Sequence, residues 1–298
     1  MTAAASVGTG RRYGVQRVCS AFDVPRSSFY ARRGPSTQSG PVTLLGRRGP
    51  KPHIPDEELL SMIRDDLASS PFQGEGHRKV WARLRVLHDV RVSRKRVLRV
   101  MRKNRLLSPH RVRQGAARKH DRQIMTNAPN VMWGTDGTKV FTVNDGWVWI
   151  FALVEHWNAE CLGWHVCKVG DRFNALQPVG MAVKEVFGAV ARDVARGVAL
   201  RMDHGTQYLS DHFLNQVRYW GLAPSFAFVE EPQTNGVAER FNRTLKEQAI
   251  HGRIFYNLED VRAAVRSFVM NYNEHWCLEK LGFRSPAKAR RDWNREAA

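Results

Sequence analysis

The chain has 298 residues, of which 43% are hydrophobic and 25% are charged, a composition typical of a soluble protein of about two domains. No apolar run approaches the ~18 residues that a membrane span needs, and the N-terminus lacks the apolar stretch of a secretory signal. The four cysteines form no CxxC pair, which argues against a disulfide framework. These features exclude a membrane or secreted protein and predict a cytoplasmic one.

The net charge of +19 is concentrated in the first two-fifths of the chain. Residues 1–125 contain 27 Lys and Arg against 9 Asp and Glu, a net charge of +18, whereas residues 126–298 contain 20 against 19. A solubilising surface would spread its charge more evenly. The asymmetry therefore favours binding of a polyanion, above all nucleic acid, by the front half.

The first 55 residues predict a short helical segment and a linker. Residues 1–35 contain two short helices separated by a turn at Asp23-Val24-Pro25, and the second helix begins near Ser27. Residues 36–55 are rich in Pro, Gly and Ser, as linkers are.

Three helices are predicted within residues 56–107, the first capped by Asp56 and the third by Ser93. The polar face of the third helix carries six positive charges and no negative one: Arg94, Lys95, Arg96, Arg99, Arg102 and Lys103. Two short helices followed by a basic one are typical of an all-α helix-turn-helix, whose last helix enters the major groove of DNA. The alternative is a plain three-helix bundle with a solvated charged face.

Residues 108–128 form a second basic linker, and strands prevail from residue 129 onward. Two strands joined by a turn at Asn144-Asp145-Gly146 and a third strand come first, and helices then alternate with two shorter strands. This order defines an α/β domain over residues 129–298, with an RNase H-like mixed sheet, helices on both faces and two closing helices near 259–273 and 285–293.

Three acidic residues stand at informative places in this order. Asp136 lies in the middle of the first strand, where an unpaired buried carboxylate would cost several kcal/mol. Asp203 ends the fourth strand, and ligands gather at the carboxyl ends of strands in sheets of this kind. Glu239 lies in the first turns of the helix after the last strand. If the first and fourth strands are neighbours, all three carboxylates meet at one edge.

Each carboxylate also has an ordinary explanation. Asp203 suits a turn, and Glu239 suits an ion pair with Arg243 four residues later. Asp136 is the hardest to explain in that way. All three at one edge favour a metal site, and hard carboxylate oxygens without soft ligands favour Mg²⁺ or Mn²⁺ over zinc.

Three segments carry a family resemblance: WGTDGTKV, RMDHGTQYLSDHF and QTNGVAERFNRTLKEQ resemble the catalytic blocks of the retroviral integrase superfamily of DDE transposases. The 35 residues between Asp203 and Glu239 match the spacing typical of that superfamily. The front-half segment GEGHRKVWARLR and the ending FVMNYNEHWCLEKLGFRSPAKAR are similar to the OrfB proteins of the third insertion-sequence family. The resemblance covers about residues 14 to 290.

The resemblance implies that Asp136, Asp203 and Glu239 are the catalytic and metal-binding triad, which holds two Mg²⁺ or Mn²⁺ ions. It also implies that Lys246, seven residues after Glu239 and so on the same helix face, reaches a DNA phosphate. Further predicted DNA contacts are Arg243, Gln207, Tyr208 and Asn235 near the triad, and Arg94, Lys95, Arg96 and Arg99 on the basic helix.

The sequence departs from the family pattern at two places. Gly137 stands where members usually carry a β-branched residue, and Thr234-Asn235 stands where an Asp-Asn pair is usual. Neither departure removes a predicted metal ligand.

A zinc site is also conceivable from the sequence, at His156, Cys161, His165 and Cys167. Because these residues alternate through strands and a turn, core or surface roles are favoured over zinc binding.

The resemblance implies a transposase that cleaves DNA at the ends of an insertion sequence and joins the freed ends to target DNA, through a circular intermediate. The partners expected are terminal-repeat and target DNA, other copies of the chain on paired ends, and an upstream OrfA protein with which residues 1–35 are normally fused. The setting expected is the bacterial cytoplasm, in association with the nucleoid. Two alternatives stay open, a DNA-binding regulator with an inactive catalytic domain and an RNase H-type nuclease.

Overall fold

A computed structural model describes residues 4–33, 53–108, 126–226 and 235–297. The chain divides into two compact units, Met1–His53 and Ile54–Ala298. Most of the two predicted linkers, 36–55 and 108–128, lies outside the described residues. Among the described residues, no helix is long and apolar enough to cross a membrane.

The first unit contains the two predicted short helices, α1 (Val15–Ala21) and α2 (Arg26–Arg33). The turn between them places Asp23 in the left-handed region, with φ of 49°. Cys19 is the buried residue of α1.

The second unit begins with three helices, α3 (Asp56–Ser69), α4 (His77–Leu87) and α5 (Arg94–Lys103). Their shared core consists of residues at helical spacing: Leu59, Ile63, Val80, Leu84, Val97, Val100 and Met101. Ser93 caps α5 as predicted, because its hydroxyl accepts a hydrogen bond from the Arg96 amide. Asp56 does not cap α3; Pro55 stands at the N-cap and the Asp56 carboxylate instead accepts hydrogen bonds from Arg96 and Arg99 of α5.

A buried ionic group joins α3 to α4. The Arg83 guanidinium donates to both carboxylate oxygens of Asp66, the shorter bond being 2.7 Å, and also donates to Glu75. Both carboxylates are 4% exposed. The arginine therefore pairs with both buried acids, and Lys79 also pairs with Glu75, at 3.3 Å.

The α/β region, called the catalytic region after the role that the family resemblance implies, is built on five strands: β1 (Met132–Thr142), β2 (Gly146–Glu155), β3 (Cys161–Cys167), β4 (Ala199–Met202) and β5 (Ala223–Phe226). Their order in the sheet is β3-β2-β1-β4-β5. Strands β1 to β3 pair antiparallel, whereas β4 pairs parallel with both β1 and β5. This order confirms the predicted RNase H-like mixed sheet.

Helices cover both faces of the sheet: α6 (Arg172–Phe187), α7 (Thr206–Leu209) and α8 (Asp211–Tyr219), then α9 (Gly236–Leu245), which continues as a π-helical turn (Lys246–Ile250), α10 (Leu258–His275) and α11 (Pro286–Ala297). Helices α6 to α8 share one core with Phe151 and Leu153, and α9 and α10 share the other with Ile150 and Ala152. The alternation along β2 shows that both faces of the strand are buried.

The three front helices pack against the catalytic region within the second unit. The Lys79 ammonium lies 2.6 Å from the centre of the Trp276 ring, at the end of α10, and Phe72 meets the same ring edge-on. Gln73 and Gln248 exchange two hydrogen bonds of 2.9 and 3.0 Å. These contacts fix the helix-turn-helix region on the helices that follow the sheet.

Candidate active site

Asp136 lies in the middle of β1, as predicted, and is held from two sides. Its Oδ1 accepts a 2.8 Å hydrogen bond from the Gly137 amide, and its Oδ2 accepts a 2.9 Å bond from the Asn242 side chain of α9. The carboxylate is thus oriented by its own strand and by the helix that carries Glu239.

The sheet brings Asp203 level with Asp136. Strands β1 and β4 run parallel with Gly134 opposite Arg201, and β4 ends at Met202. Two residues further along each strand are Asp136 and Asp203, so both lie at the edge where β4 stops. The Asp203 carboxylate accepts a 2.9 Å hydrogen bond from the Gly205 amide. The Asx turn fixes its direction.

The electrostatics show that the three carboxylates are close neighbours. Burial raises the pKa of Asp136, and the negative charge of Asp203 raises it further, whereas the Asn242 hydrogen bond opposes the shift. Burial also raises the pKa of Glu239, with contributions from Asp136 and Asp203. A bound cation would relieve this repulsion between like charges.

The donor set fits a hard divalent cation, although the side chains do not enclose one. Within the described ranges, no three His, Cys, Asp or Glu side chains lie close enough together to hold a metal ion. Carboxylate oxygens are the preferred ligands of Mg²⁺ and Mn²⁺. The Asn242 Oδ1 atom beside Asp136 is buried and accepts no hydrogen bond from a described residue. The site is a set of repelling oxygens whose charge a cation would balance.

Asn242 is a site residue that the sequence analysis missed. It is 5% exposed and its amide donates to Asp136. It lies three residues after Glu239 and therefore on the same helix face. That spacing was the one clue to it in the sequence.

A cleft of about 300 Å³ opens beside Asp136 and Glu239. Asp136, Glu239, Asn242, Arg243 and Lys246 line it, together with other residues. Arg243 lowers the pKa of Glu239 and Lys246 lowers that of Asp136. The structure therefore brings both predicted basic residues to the site.

Lys246 keeps this position although α9 ends one residue earlier. Residues 239–245 are α-helical, and Lys246, the first residue of the π-helical turn, still has α-helical backbone angles (φ −61°, ψ −47°), so the seven-residue spacing returns it to the face of Glu239.

Two residues predicted to contact DNA are buried instead. Tyr208 is fully buried, with its ring edge-on to Phe151 and Phe213, so the prediction that it contacts DNA is wrong. The short helix α7 turns this ring into the core beneath Asp136, and burial raises the pKa of its hydroxyl.

Asn235 is 3% exposed, and its side chain donates a 3.0 Å hydrogen bond to the Thr135 carbonyl beside Asp136. It ties the start of α9 to β1 and does not face solvent. Its predicted DNA contact is therefore also wrong. The adjacent Thr234 lies outside the described residues.

Gln207 is half-buried and lies next to Asp203, since a Cβ placed on Gly205 would meet both side chains within 3 Å. The prediction of a DNA contact by Gln207 stays open to test.

The structure explains why a glycine stands at position 137. A Cβ at this position would lie 2.7 Å from the Phe151 ring on the paired strand. This chain fills with an aromatic ring the space that a β-branched side chain would take.

The basic side chains of α5 fall into two groups, those that form ion pairs with described residues and those that do not. Arg96 donates to Asp56 and to the Ile54 carbonyl and is largely buried, so its predicted DNA contact is replaced by a structural one. Arg99 also bonds to Asp56, and Arg94 lies 3.7 Å from Glu279, both with exposed side chains. Lys95, Arg102 and Lys103 are exposed and form no ion pair with another described residue.

The four candidate zinc ligands have separate surroundings. His156 is buried, which lowers its pKa to about 4, and His165 bonds to Asn174 at 3.0 Å. Cys161 and Cys167 are buried free thiols. His156, Cys161 and Cys167 are thus buried in the core, the kind of role that the sequence analysis favoured over zinc binding.

Two family models match the chain. An integrase core domain matches residues 221–286, and a helix-turn-helix-like domain matches residues 73–114. The second match covers α4 and α5. The first covers α9, with Glu239 and Asn242, then Lys246 and the whole of α10.

Relatives of known name are similar over most of their length. The transposase of insertion sequence element IS629 from Shigella sonnei is 26% identical over 93% of this chain and 92% of its own. The InsD transposase of the IS2 elements of Escherichia coli is 29% identical over 78% of each. A solved HTLV-2 integrase catalytic core in complex with magnesium covers 55% of this chain and 97% of its own, at 14% identity and a TM-score of 0.41.

The strand order and the two matched models place this chain in the class of integrase-core proteins that also carry a DNA-binding helix-turn-helix. Within that class, the similarity to these two transposases fits an OrfB-type transposase of the third insertion-sequence family.

Proposed function

We propose that this chain cleaves DNA at the ends of an insertion sequence and joins the freed ends to target DNA, with Asp136, Asp203 and Glu239 as ligands of two divalent metal ions. The observation that carries the proposal is that Asp136 and Asp203 lie at the edge where β4 ends, with Glu239 near enough that repulsion, added to burial, raises the pKa of Asp136 and of Glu239. Mg²⁺ or Mn²⁺, when bound, would supply activation of the attacking oxygen and stabilisation of the leaving one.

The residues around the triad have distinct tasks in this proposal. Asn242 holds the Asp136 carboxylate in its orientation, and Gly205 holds that of Asp203. Lys246 and Arg243 present positive charge along the cleft, where they bind the phosphates of the DNA strand and align it. No side chain serves as a covalent nucleophile, so the protein contributes positioning and charge.

The helix-turn-helix region supplies the second part of the function. Lys95, Arg102 and Lys103, with the outer charges of Arg94 and Arg99, form the face of α5 that approaches DNA. Phosphate contacts of this kind position the protein on the duplex. Because two element ends must be joined, the active form is an oligomer on paired ends, and an OrfA partner strengthens binding to those ends.

A strand-transfer assay with labelled terminal-repeat DNA and Mg²⁺ or Mn²⁺ tests the proposal. Wild-type protein is expected to give joined product, and Asp136→Asn or Glu239→Gln is expected to reduce joining by at least about a thousandfold while leaving DNA binding intact. Glu185→Gln is the matched control, because Glu185 is an exposed acid of α6 away from the cleft.

The outcomes separate the alternatives. Cleavage without joining would identify a nuclease, and binding without cleavage would identify a regulator. Joining by Asp136→Asn at the wild-type rate would refute the assignment of the site. Adding the OrfA partner should raise affinity for the ends, and tight, specific binding by this chain alone would contradict that part of the proposal.

A further inference from the structure

The hairpin of β1 and β2 carries a line of aromatic rings on one face. The register pairs Gly137 with Phe151, then Lys139 with Trp149, and Phe141 with Trp147. Alternate residues of a strand share a face, so these side chains lie side by side. The aromatic strip is defined as Lys139, Phe141, Trp147, Trp149 and Phe151.

The outer end of the strip is open to solvent. Phe141 is 57% exposed and Trp147 is 62% exposed, and the two rings meet edge-on with their centres 5.6 Å apart. Large aromatic side chains side by side on a surface mark binding sites more often than isolated ones do. The core does not need these two rings, so another role must explain them.

The middle of the strip combines a ring with a positive charge. The Lys139 ammonium lies 4.4 Å from the centre of the Trp149 ring. Trp149 in turn stacks on Phe151, with ring centres 5.5 Å apart and planes 2° apart. Rings that accept stacked bases beside a lysine that accepts a phosphate are the elements of a single-strand binding surface.

The inner end of the strip lies across β1 from the active site: the strip shares the face of Phe151, whereas the Asp136 side chain is on the opposite face and bonds to Asn242 of α9. Gly137 borders the cleft and neighbours Asp136, and its missing side chain leaves the Phe151 ring beside it. Phe151 meets Tyr208, which packs beneath Asp136. Asp136 and Phe141 are five residues apart, which is about 17 Å along a strand. That length matches about five stacked nucleotides.

We propose that the aromatic strip binds unpaired nucleotides of the DNA strand adjoining the scissile phosphate, with bases stacked on Phe141 and Trp147 and a phosphate at Lys139. This inference rests on the proposed function, since it describes how the DNA near the cut is held. A strand that leaves the cleft passes around the edge of β1 beyond Gly134, where β4 no longer pairs with it, and continues along the strip on the other face.

A protein partner fits the strip less well. Two rings at these exposures offer about 250 Å² of apolar surface, given the area of an aromatic side chain. A stable protein interface buries about 800 Å² on each partner. The lysine in the middle of the strip complements a phosphate, whereas an apolar partner would leave it desolvated.

Fluorescence anisotropy of the full-length chain with labelled DNA, in EDTA, tests the proposal without catalysis. The probes are a 20-base single strand, a blunt duplex and the same duplex with a five-nucleotide overhang. Trp147→Ala and Phe141→Ala are each expected to weaken binding of the single strand and the overhang by about fivefold to a hundredfold. Blunt-duplex affinity should stay within about twofold of wild type.

Matched variants sharpen the result. Tyr219→Ala removes a ring of α8 that is 51% exposed and should leave all three affinities unchanged. Trp147→Phe keeps a stacking ring and should restore most of the affinity. Lys139→Ala should reduce the slope of log affinity against log salt concentration by about 0.7 on a single strand. A 2-aminopurine base in the overhang should lose fluorescence on binding wild type but not Trp147→Ala.

The proposal would be overturned if the Trp147→Ala chain bound single strands as tightly as wild type, or if wild type showed no preference for an overhang. A change in oligomeric state without a change in DNA affinity would assign the strip to self-association instead. Because binding is measured without metal, the two proposals fail separately. Overhang binding without strand joining would refute only the proposed function, and joining without overhang binding would refute only the strip.

Discussion

Asp136 combines a mid-strand position with partial burial and a repelling neighbour. Its pKa is raised by burial and by Asp203, so the folded, metal-free protein holds its proton more tightly than the unfolded chain does. The stability linked to this proton is complete below the ordinary carboxyl pKa of about 4 and is lost as the pH rises through the raised value. At neutral pH the ionised carboxylate therefore destabilises the folded protein until a cation binds.

Thermal unfolding of the metal-free protein should reveal the destabilisation by the ionised Asp136. Asp136→Asn is expected to unfold at a higher temperature than wild type at pH 7, and the difference should shrink as the pH falls toward 4. Adding Mg²⁺ or Mn²⁺ should raise the midpoint of wild type, because a cation that binds only the folded state stabilises it. Differential scanning calorimetry with and without EDTA measures both effects. An equal rise for Asp136→Asn on adding metal would place the cation elsewhere.

The sequence predicts the position of a site residue correctly where the order of strands and helices determines that position. The positions of Asp136, Asp203, Glu239 and Lys246 follow from strand and helix order, and the structure brings all four to one edge. Their catalytic roles stay predictions. Tyr208 was misplaced because it follows Asp203 in a short connection that suggests exposure, whereas α7 rolls the ring into the core.

Asn242 could not be found with confidence from the sequence, because one asparagine on a helix has many possible roles. Its task depends on the distance between α9 and β1, which local pattern does not encode. The same reason explains Asn235, whose polar side chain suggested a DNA contact but bonds to the Thr135 carbonyl.

At the scale of elements, helix and strand periodicity predicted most of the architecture. The order of strands, the N-cap at Ser93 and the two closing helices are confirmed. The role of Asp56 was wrong, because the sequence does not reveal that α5 passes close enough for its arginines to engage that carboxylate. Helix propensity does not determine which residues distant in the chain come into contact.

The pairing of α3 with α4 depends on Arg83. Arg83→Ala is expected to lower the free energy of unfolding by about 3–5 kcal/mol, because the carboxylate of Asp66 would stay buried without compensation and Glu75 would keep only its pair with Lys79. Urea unfolding monitored by circular dichroism measures the change.

The control for this prediction is Arg91→Ala, since Arg91 and Asp89 form an ion pair in which both side chains are over 80% exposed. That change should alter stability by less than about 1 kcal/mol. A similar loss of unfolding free energy in the two variants would show that burial does not determine how much the Arg83 ion pairs contribute to stability.

For the whole molecule, the junction between the front helices and the catalytic region is the feature with the widest effect. Lys79 lies at its centre, between Glu75 and the Trp276 ring. Burial lowers the pKa of Lys79 to about 7, although Glu75 opposes the shift. The unfolded chain therefore binds more protons than the folded one between about pH 7 and 10.5, and stability contributed at this site rises with pH across that window.

Lys79→Met tests this junction, because the variant keeps the apolar stem and removes the titrating group. The difference in unfolding free energy between wild type and variant should shift in favour of wild type as the pH rises from 7 to 10. Lys95→Met, at an exposed position of α5, should show no such trend. A pH-independent difference for Lys79→Met would mean that the ammonium does not lose its proton in the folded state.

The pair of hydrogen bonds between Gln73 and Gln248 has a geometric consequence. Gln248 belongs to the turn that continues the helix of Glu239, and Gln73 precedes α4 of the helix-turn-helix region. If the chain acts as proposed, the helix that binds DNA and the residues that cut it are held at a fixed separation. Each cut is then expected at a constant number of base pairs from the site bound by α5, so lengthening the DNA spacer between them should move the cut within the spacer and keep that number.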